Sequence, residues 1–114
     1  MRVLICEDNS MIALMLEGLL EDWGHEPLGP AESFAKAMQA VQAQAPDLAL
    51  VDLDLTDGRT GLRIIDTLAD RGIPGIIVSG HAEHLGPDHR AVGLVRKPIN
   101  ETQLRRLVDS CQPS

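Results

Sequence analysis

The sequence predicts an α/β protein whose parallel sheet is covered by helices on both faces. Short, wholly apolar runs recur at residues 3–6, 48–51 and 76–78. Segments with apolar residues at helical spacing lie between them. The runs are continuously apolar rather than alternating, as expected of strands buried on both sides. At 114 residues the chain has enough material for one core and not two.

Each element has its own signal. Residues 3–6 read as a first strand. Over residues 10–23, Met11, Ile12, Met15, Leu16, Leu19, Leu20 and Trp23 form a helical stripe, with Asn9 or Ser10 as cap and Gly24 as stop. Residues 25–28 read as a weak strand. Pro27 cannot donate to a ladder, so this strand belongs at a sheet edge. Ser33 caps a second helix with Phe34, Ala37, Met38 and Val41 on one face, stopped by Pro46. Residues 48–51 are the third strand. Gly58 and Gly61 bracket a loop, and Leu62, Ile64, Ile65 and Leu68 mark a third helix ending near Gly72 and Pro74. Residues 76–78 form the fourth strand, and Leu94 and Val95 lie in a fifth. Asn100 caps the last helix, with Gln103 placed to cap back and Leu104, Leu107, Val108 and Cys111 as its stripe. Residues 80–92 carry Gly80, Gly86 and Pro87 and no clear stripe, so any helix there is short or irregular.

Composition excludes several functions. The formal charge is −7, from 17 acidic and 10 basic residues, which opposes binding to nucleic acid. With no Tyr, one Trp and one Phe, there is no stacking platform for single strands. No apolar run approaches the ~20 residues that cross a bilayer, and the first apolar run is too short for a secretory signal. We therefore expect no membrane partner and a cytoplasmic location. Cys6 and Cys111 are expected to be free thiols.

The strand ends carry the chemistry. In an open parallel sheet, ligands bind beyond the carboxyl ends of the strands. Glu7 and Asp8 follow the first strand, Asp52 the third, Ser79 the fourth, and Lys97 with Pro98 the fifth. Singly, each has a duller role as cap, turn or solvated side chain. Arriving together, they specify a site. At an effective dielectric of about 20, two carboxylates near 4 Å repel by roughly 4 kcal/mol, so their pKa values must rise or a cation must sit among them. Mg²⁺ fits, because it takes one or two carboxylates together with water and phosphate oxygens. Lys97 adds positive charge and Ser79 a hydroxyl, which together suit a small dianion. Asp52 is then a carboxylate nucleophile toward phosphorus.

With these residues in place, the chain resembles the response-regulator receiver domains of two-component signalling over essentially its whole length, residues 1–114. The resemblance rests on Glu7 and Asp8, Asp52, Ser79, the Lys97–Pro98 dipeptide and the segment DLDLTDGRTG. It implies a flavodoxin-like three-layer fold with five parallel strands in the order 2-1-3-4-5. It implies that Asp52 accepts a phosphoryl group from a phosphohistidine on a sensor histidine kinase or histidine phosphotransfer protein. Asp8, Asp52 and the backbone carbonyl of Asp54 would hold Mg²⁺, with Glu7 acting through water. Lys97 would pair with the phosphoryl group, Ser79 would move to it as the switch, and the Lys97–Pro98 peptide would be cis. Such a module is no enzyme beyond its own phosphorylation and dephosphorylation. Its output would be a change of contacts with a downstream protein.

Two departures from the family bear on that output. Leu94 stands where receivers often carry an aromatic ring that swings inward, and the interval from Ser79 to Lys97 is short. We expect phosphorylation to act mainly by ordering residues 80–93. Asp54 and His81 are expected to face the phosphoryl group and set its lifetime. His81, His84 and His89 also invite a metal reading, but their spacing matches no zinc pattern and a solvated loop is the expectation.

Two other readings compete. Asp52, Asp54 and Thr56 spell the D-x-D-x-T of haloacid-dehalogenase-like phosphatases. However, no acidic pair follows at a later strand end, and only 62 residues remain for a cap segment. The chain could also be the receiver part of a longer regulator with an effector domain. We expect a monomer or weak dimer, with Leu104 and Leu107 in the core.

Overall fold

The computed structural model describes residues 1–82, 85–86 and 88–112. In chain order it runs β1 (Arg2–Cys6), α1 (Ser10–Asp22), β2 (Glu26–Ala31), α2 (Phe34–Ala43), β3 (Leu48–Val51), α3 (Gly61–Asp70), β4 (Gly75–Ser79), β5 (Gly93–Arg96) and α4 (Glu101–Ser110). The five strands are parallel, in the order β2-β1-β3-β4-β5. Among the described residues between β4 and β5 there is no helix.

Strand side chains alternate between faces, and that alternation builds two cores. Val3 and Ile5 of β1 pack with Leu48, Leu50, Ile76, Val78 and Val95 against Ala13, Leu16 and Leu20 of α1 and Leu104 and Val108 of α4. Leu4 and Cys6 pack with Ala49, Val51 and Ile77 against Ala37 and Val41 of α2 and Ile64, Ile65 and Leu68 of α3. Truncating a fully buried residue such as Leu50 would cost about 3 kcal/mol.

Of the two candidate caps of α1, Asn9 serves, its side chain accepting from the N–H groups of Met11 and Ile12. The other local signals behave as their chemistry demands, with four corrections. The α1 stripe is narrower than the apolar pattern. Met11 is 80% exposed and Met15 43%, and Ala13 is buried in their stead. In α4, Asn100 accepts from the Gln103 N–H, but the Gln103 side chain donates to the Leu94 carbonyl at 3.5 Å instead of capping back. Leu104 is fully buried, whereas Leu107 is only half-buried beside a recess of about 350 Å³.

The fourth correction concerns β2, which runs past Leu28 through Gly29, Pro30 and Ala31. Its register against β1 shifts between Leu4 and Cys6. At the sheet edge a strand has one ladder to satisfy, so the missing proline N–H is tolerated. Gly29 has φ +91, and a Cβ there would lie 2.9 Å from the Ile5 carbonyl oxygen, so the bulge requires glycine. The Gly29–Pro30 and Lys97–Pro98 peptides are both cis.

Candidate functional site

The strand order places the site. Chain direction across the sheet reverses between β1 and β3, which opens a crevice at their carboxyl ends. Glu7 and Asp8 leave β1 there, and Asp52 leaves β3. Backbone bonds fix both exits: the Glu7 N–H donates to the Ala31 carbonyl and the Asp52 N–H to the Cys6 carbonyl. Lys97 follows β5, its N–H donating to the Ser79 carbonyl at 3.1 Å. A cleft of about 230 Å³ results, lined by Asp8, Ile12, Asp52, Asp54, His81 and Lys97 among others.

One cation and two carboxylates form its floor. The Lys97 Nζ donates to Glu7 Oε1 at 2.6 Å and to Asp52 Oδ2 at 2.8 Å. Glu7 is 3% exposed and Asp52 7%. The Asp54 N–H donates to Asp52 Oδ1 at 3.2 Å, so both Asp52 oxygens are oriented. Burial and the adjacent Asp52 push the Glu7 carboxyl up to about 8, against the pull of Lys97. Burial also works to raise Asp52, but Glu7, Lys97 and the Asp54 N–H prevail and hold it below its ordinary value. Burial works to lower Lys97, and the two carboxylates overcome it and hold the ammonium above its usual range. Near neutral pH the floor is therefore a protonated Glu7, an ionised Asp52 and an ammonium.

The donor set fits a hard divalent cation. Glu7, Asp8 and Asp52 each offer an oxygen, and the three lie within 4.8 Å of one another. Glu7 Oε2 is buried without a hydrogen-bond partner, an oxygen free to accept once the carboxyl gives up its proton. Among the described residues this is the one such group of three; His81 and His89 belong to none, and His84 lies outside the described residues.

The remaining expected residues surround the floor. Ser79 is fully buried and its hydroxyl accepts from the His81 N–H at 3.1 Å. His81 Nδ1 lies 3.4 Å from Asp54 Oδ2, and its carbonyl accepts from Arg59 at 2.8 Å. Leu94 is half-buried on β5, away from the cleft lining. The Thr56 hydroxyl does not serve the cleft, for it donates to the Glu32 carbonyl at 2.8 Å. That removes the third member of the phosphatase-like pattern.

The response regulator receiver domain family model matches residues 3–109. The chain belongs to that family. Among curated relatives, the phyllosphere-induced regulator PhyR of Methylorubrum extorquens is 31% identical over 110 residues, covering 93% of this receiver domain and 41% of PhyR. The sensor protein GacS of Pseudomonas syringae is 33% identical, covering 94% of this chain and 13% of GacS. The chain thus spans less than half the length of these relatives. Among solved structures, the receiver domain of Erythrobacter litoralis PhyR superposes with a TM-score of 0.88 at 29% identity, covering 99% of this chain and 94% of that one. Brucella abortus PhyR gives 0.86 at 30% identity, covering 96% and 46%. The flavodoxin-like fold and the receiver class follow, with no support for a phosphatase. No helix among the described residues is long and apolar enough to cross a membrane.

Sequence reading missed how the loop after Asp52 is held. Asp57 Oδ2 accepts from the Phe34 N–H at the start of α2, and Asp57 Oδ1 from the Thr60 hydroxyl. Gly61 lies against Asp52 so closely that a Cβ would sit 2.1 Å from the Asp52 carbonyl oxygen. The aspartate-glycine and threonine-glycine pairs of TDGRTG were the available signal.

Proposed function

We propose that this receiver domain takes a phosphoryl group onto Asp52 from a phosphohistidine and thereby changes its protein contacts. The observation that carries the reading is the oriented Asp52 carboxylate at the floor of an acidic cleft, 2.8 Å from the Lys97 ammonium. An Asp52 oxygen attacks phosphorus, the phosphorus–nitrogen bond breaks, and the imidazole nitrogen of the donor keeps the electron pair. Asp8, Asp52 and the Asp54 backbone carbonyl, with Glu7 through water, would hold Mg²⁺, which would supply positive charge for the phosphoryl oxygens. Lys97 turns from the carboxylates to the phosphoryl group and keeps its charge there. Ser79 exchanges the His81 N–H for the phosphoryl oxygen, and that exchange starts the switch. Residues 80–93, which follow Ser79 directly, carry the change outward, since Leu94 provides no ring to rotate.

The donor is a sensor histidine kinase or histidine phosphotransfer protein. An apolar recess of about 320 Å³, lined by Ile12, Met15, Lys97, Pro98 and Ile99, adjoins the cleft and shares Ile12 and Lys97 with it. Met15 of this recess is itself 43% exposed, and the recess offers an apolar docking surface beside the cleft. Output goes to a protein and not to nucleic acid, consistent with the charge of −7. PhyR of Bartonella quintana, an anti-anti-sigma factor, resembles the chain at 29% identity and supports output by protein contact. The chemistry is the same whether the receiver acts alone or ahead of an effector domain. The test is incubation with Mg²⁺ and acetyl phosphate, followed by hydroxylamine. An acyl phosphate on Asp52 is formed and then cleaved; an adduct that survives hydroxylamine contradicts the reading.

A further inference from the structure

Among the side chains of TDGRTG, Arg59 alone bonds to a cleft-lining residue, donating to the His81 carbonyl at 2.8 Å, yet the segment makes a dense set of other bonds. Leu55 and Gly58 exchange backbone hydrogen bonds at 2.9 and 3.1 Å, closing a tight turn with Thr56 and Asp57 at its tip. Gly58 has φ +108, a conformation that favours glycine. The tip is docked on the connection between β2 and α2. Both the N–H and the hydroxyl of Thr56 donate to the Glu32 carbonyl, at 3.0 and 2.8 Å. Asp57 accepts from the Phe34 N–H at 3.0 Å and from the Thr60 hydroxyl at 2.7 Å. These two bonds, the Thr60 one foremost, hold the Asp57 carboxyl below its ordinary value. Inside the turn, Leu53 and Leu55 are buried in the α2–α3 core.

Asp54 lies between those two apolar anchors, two residues before Thr56. Its N–H orients Asp52, and on the reading above its carbonyl holds the cation. A backbone carbonyl cannot be re-aimed by a rotamer; only the path of its loop decides where it points. We propose that Asp57, with Thr56, is a positioning residue for the magnesium site, docking the loop on the start of α2 so that the Asp54 peptide faces Asp52. The inference rests on the proposed cation site and goes beyond it, because Asp57 touches neither cation nor phosphate. Partners that orient a ligand without touching the metal typically contribute about 10- to 100-fold in metal affinity.

Ser33 provides the control. It caps the same helix, its hydroxyl accepting from the Lys36 N–H at 3.2 Å, but it makes no bond to the loop. Asp57→Ala and Ser33→Ala therefore each remove one cap from α2, and only the first frees the loop. Mg²⁺ binding is measured by calorimetry on the full chain, with amide hydrogen exchange of residues 54–60 in metal-free protein. Asp57→Ala should bind Mg²⁺ about tenfold more weakly and exchange faster over 54–60. Its phosphorylation should need more Mg²⁺ to reach half its maximal rate than wild type does. Asp57→Asn, which keeps an acceptor for the Phe34 N–H, should recover most of the affinity. Ser33→Ala should bind Mg²⁺ as wild type does. Unchanged Mg²⁺ affinity in Asp57→Ala, or an equal loss in Ser33→Ala, overturns the positioning role alone. Wild-type protein that binds no Mg²⁺ overturns the cation site and this role together.

Discussion

Lys97 Nζ sits 2.6 Å from Glu7 Oε1 and 2.8 Å from Asp52 Oδ2, so one ammonium bridges both acids of the site. One ammonium stands against two buried carboxylates, so one proton must stay on the pair, and it resides on Glu7. Two buried, mutually repelling acids are tolerable only while that proton or a cation is present.

A pH dependence follows. The Glu7 carboxyl moves from 4.5 to about 8 on folding. Between those values the folded chain keeps a proton that the unfolded chain has lost. The stabilisation is full below 4.5 and is lost as pH rises through about 8, with a slope approaching about 1.4 kcal/mol per pH unit. Urea unfolding with EDTA should show wild type losing stability across this window and Glu7→Gln losing less. Binding of Mg²⁺ displaces the proton, so its affinity should rise with pH over the same range. Parallel wild-type and Glu7→Gln profiles would contradict this assignment.

The Ser79 hydroxyl accepts from the His81 N–H, and phosphorylation should break that bond. Hydrogen exchange over residues 80–93 should therefore change on phosphorylation in wild type. Ser79→Ala should still take up phosphate but lose most of that change. Identical protection before and after phosphorylation in wild type would rule out the proposed route.

Asp54 and His81 approach each other across the cleft wall at 3.4 Å. On the proposed reading, they restrict the path of a water toward a phosphoryl group on Asp52. Replacing both, as Asp54→Ala and His81→Ala, should speed decay of the phosphorylated state severalfold, read as loss of label over time. An unchanged decay rate would remove them from the mechanism.

Met11 and Leu14 are exposed on α1, the helix that also carries Ile12 of the cleft lining. Leu14→Glu should slow transfer from a phosphohistidine protein and leave uptake from acetyl phosphate unchanged. Equal rates from the protein donor would place docking elsewhere.

The sheet and the set of residues that gather at its carboxyl edge were legible in the sequence because burial and strand ends leave local marks. Continuous apolar runs gave β1, β3 and β4, and the acids and Lys97 stand directly after strands. Features that depend on another segment were not legible. Met11 and Met15 follow the helical period of α1 as well as Leu16 does, and only the position of the sheet decides which of them is covered. The extension of β2 through Pro30 needed the edge position, and the exchange of the expected Gln103 cap for a bond to Leu94 needed β5 beside α4. Asp57 read as an ordinary turn residue until α2 was placed next to it. The Thr56 of the phosphatase-like pattern was separated from its two aspartates only by the Glu32 carbonyl.

The most direct measurement is the intact mass of the protein after incubation with Mg²⁺ and acetyl phosphate. Wild type should gain one phosphoryl group, and Asp52→Asn, which keeps the shape of the site, should gain none. Uptake by Asp52→Asn equal to that of wild type would place the phosphoacceptor elsewhere and contradict the account.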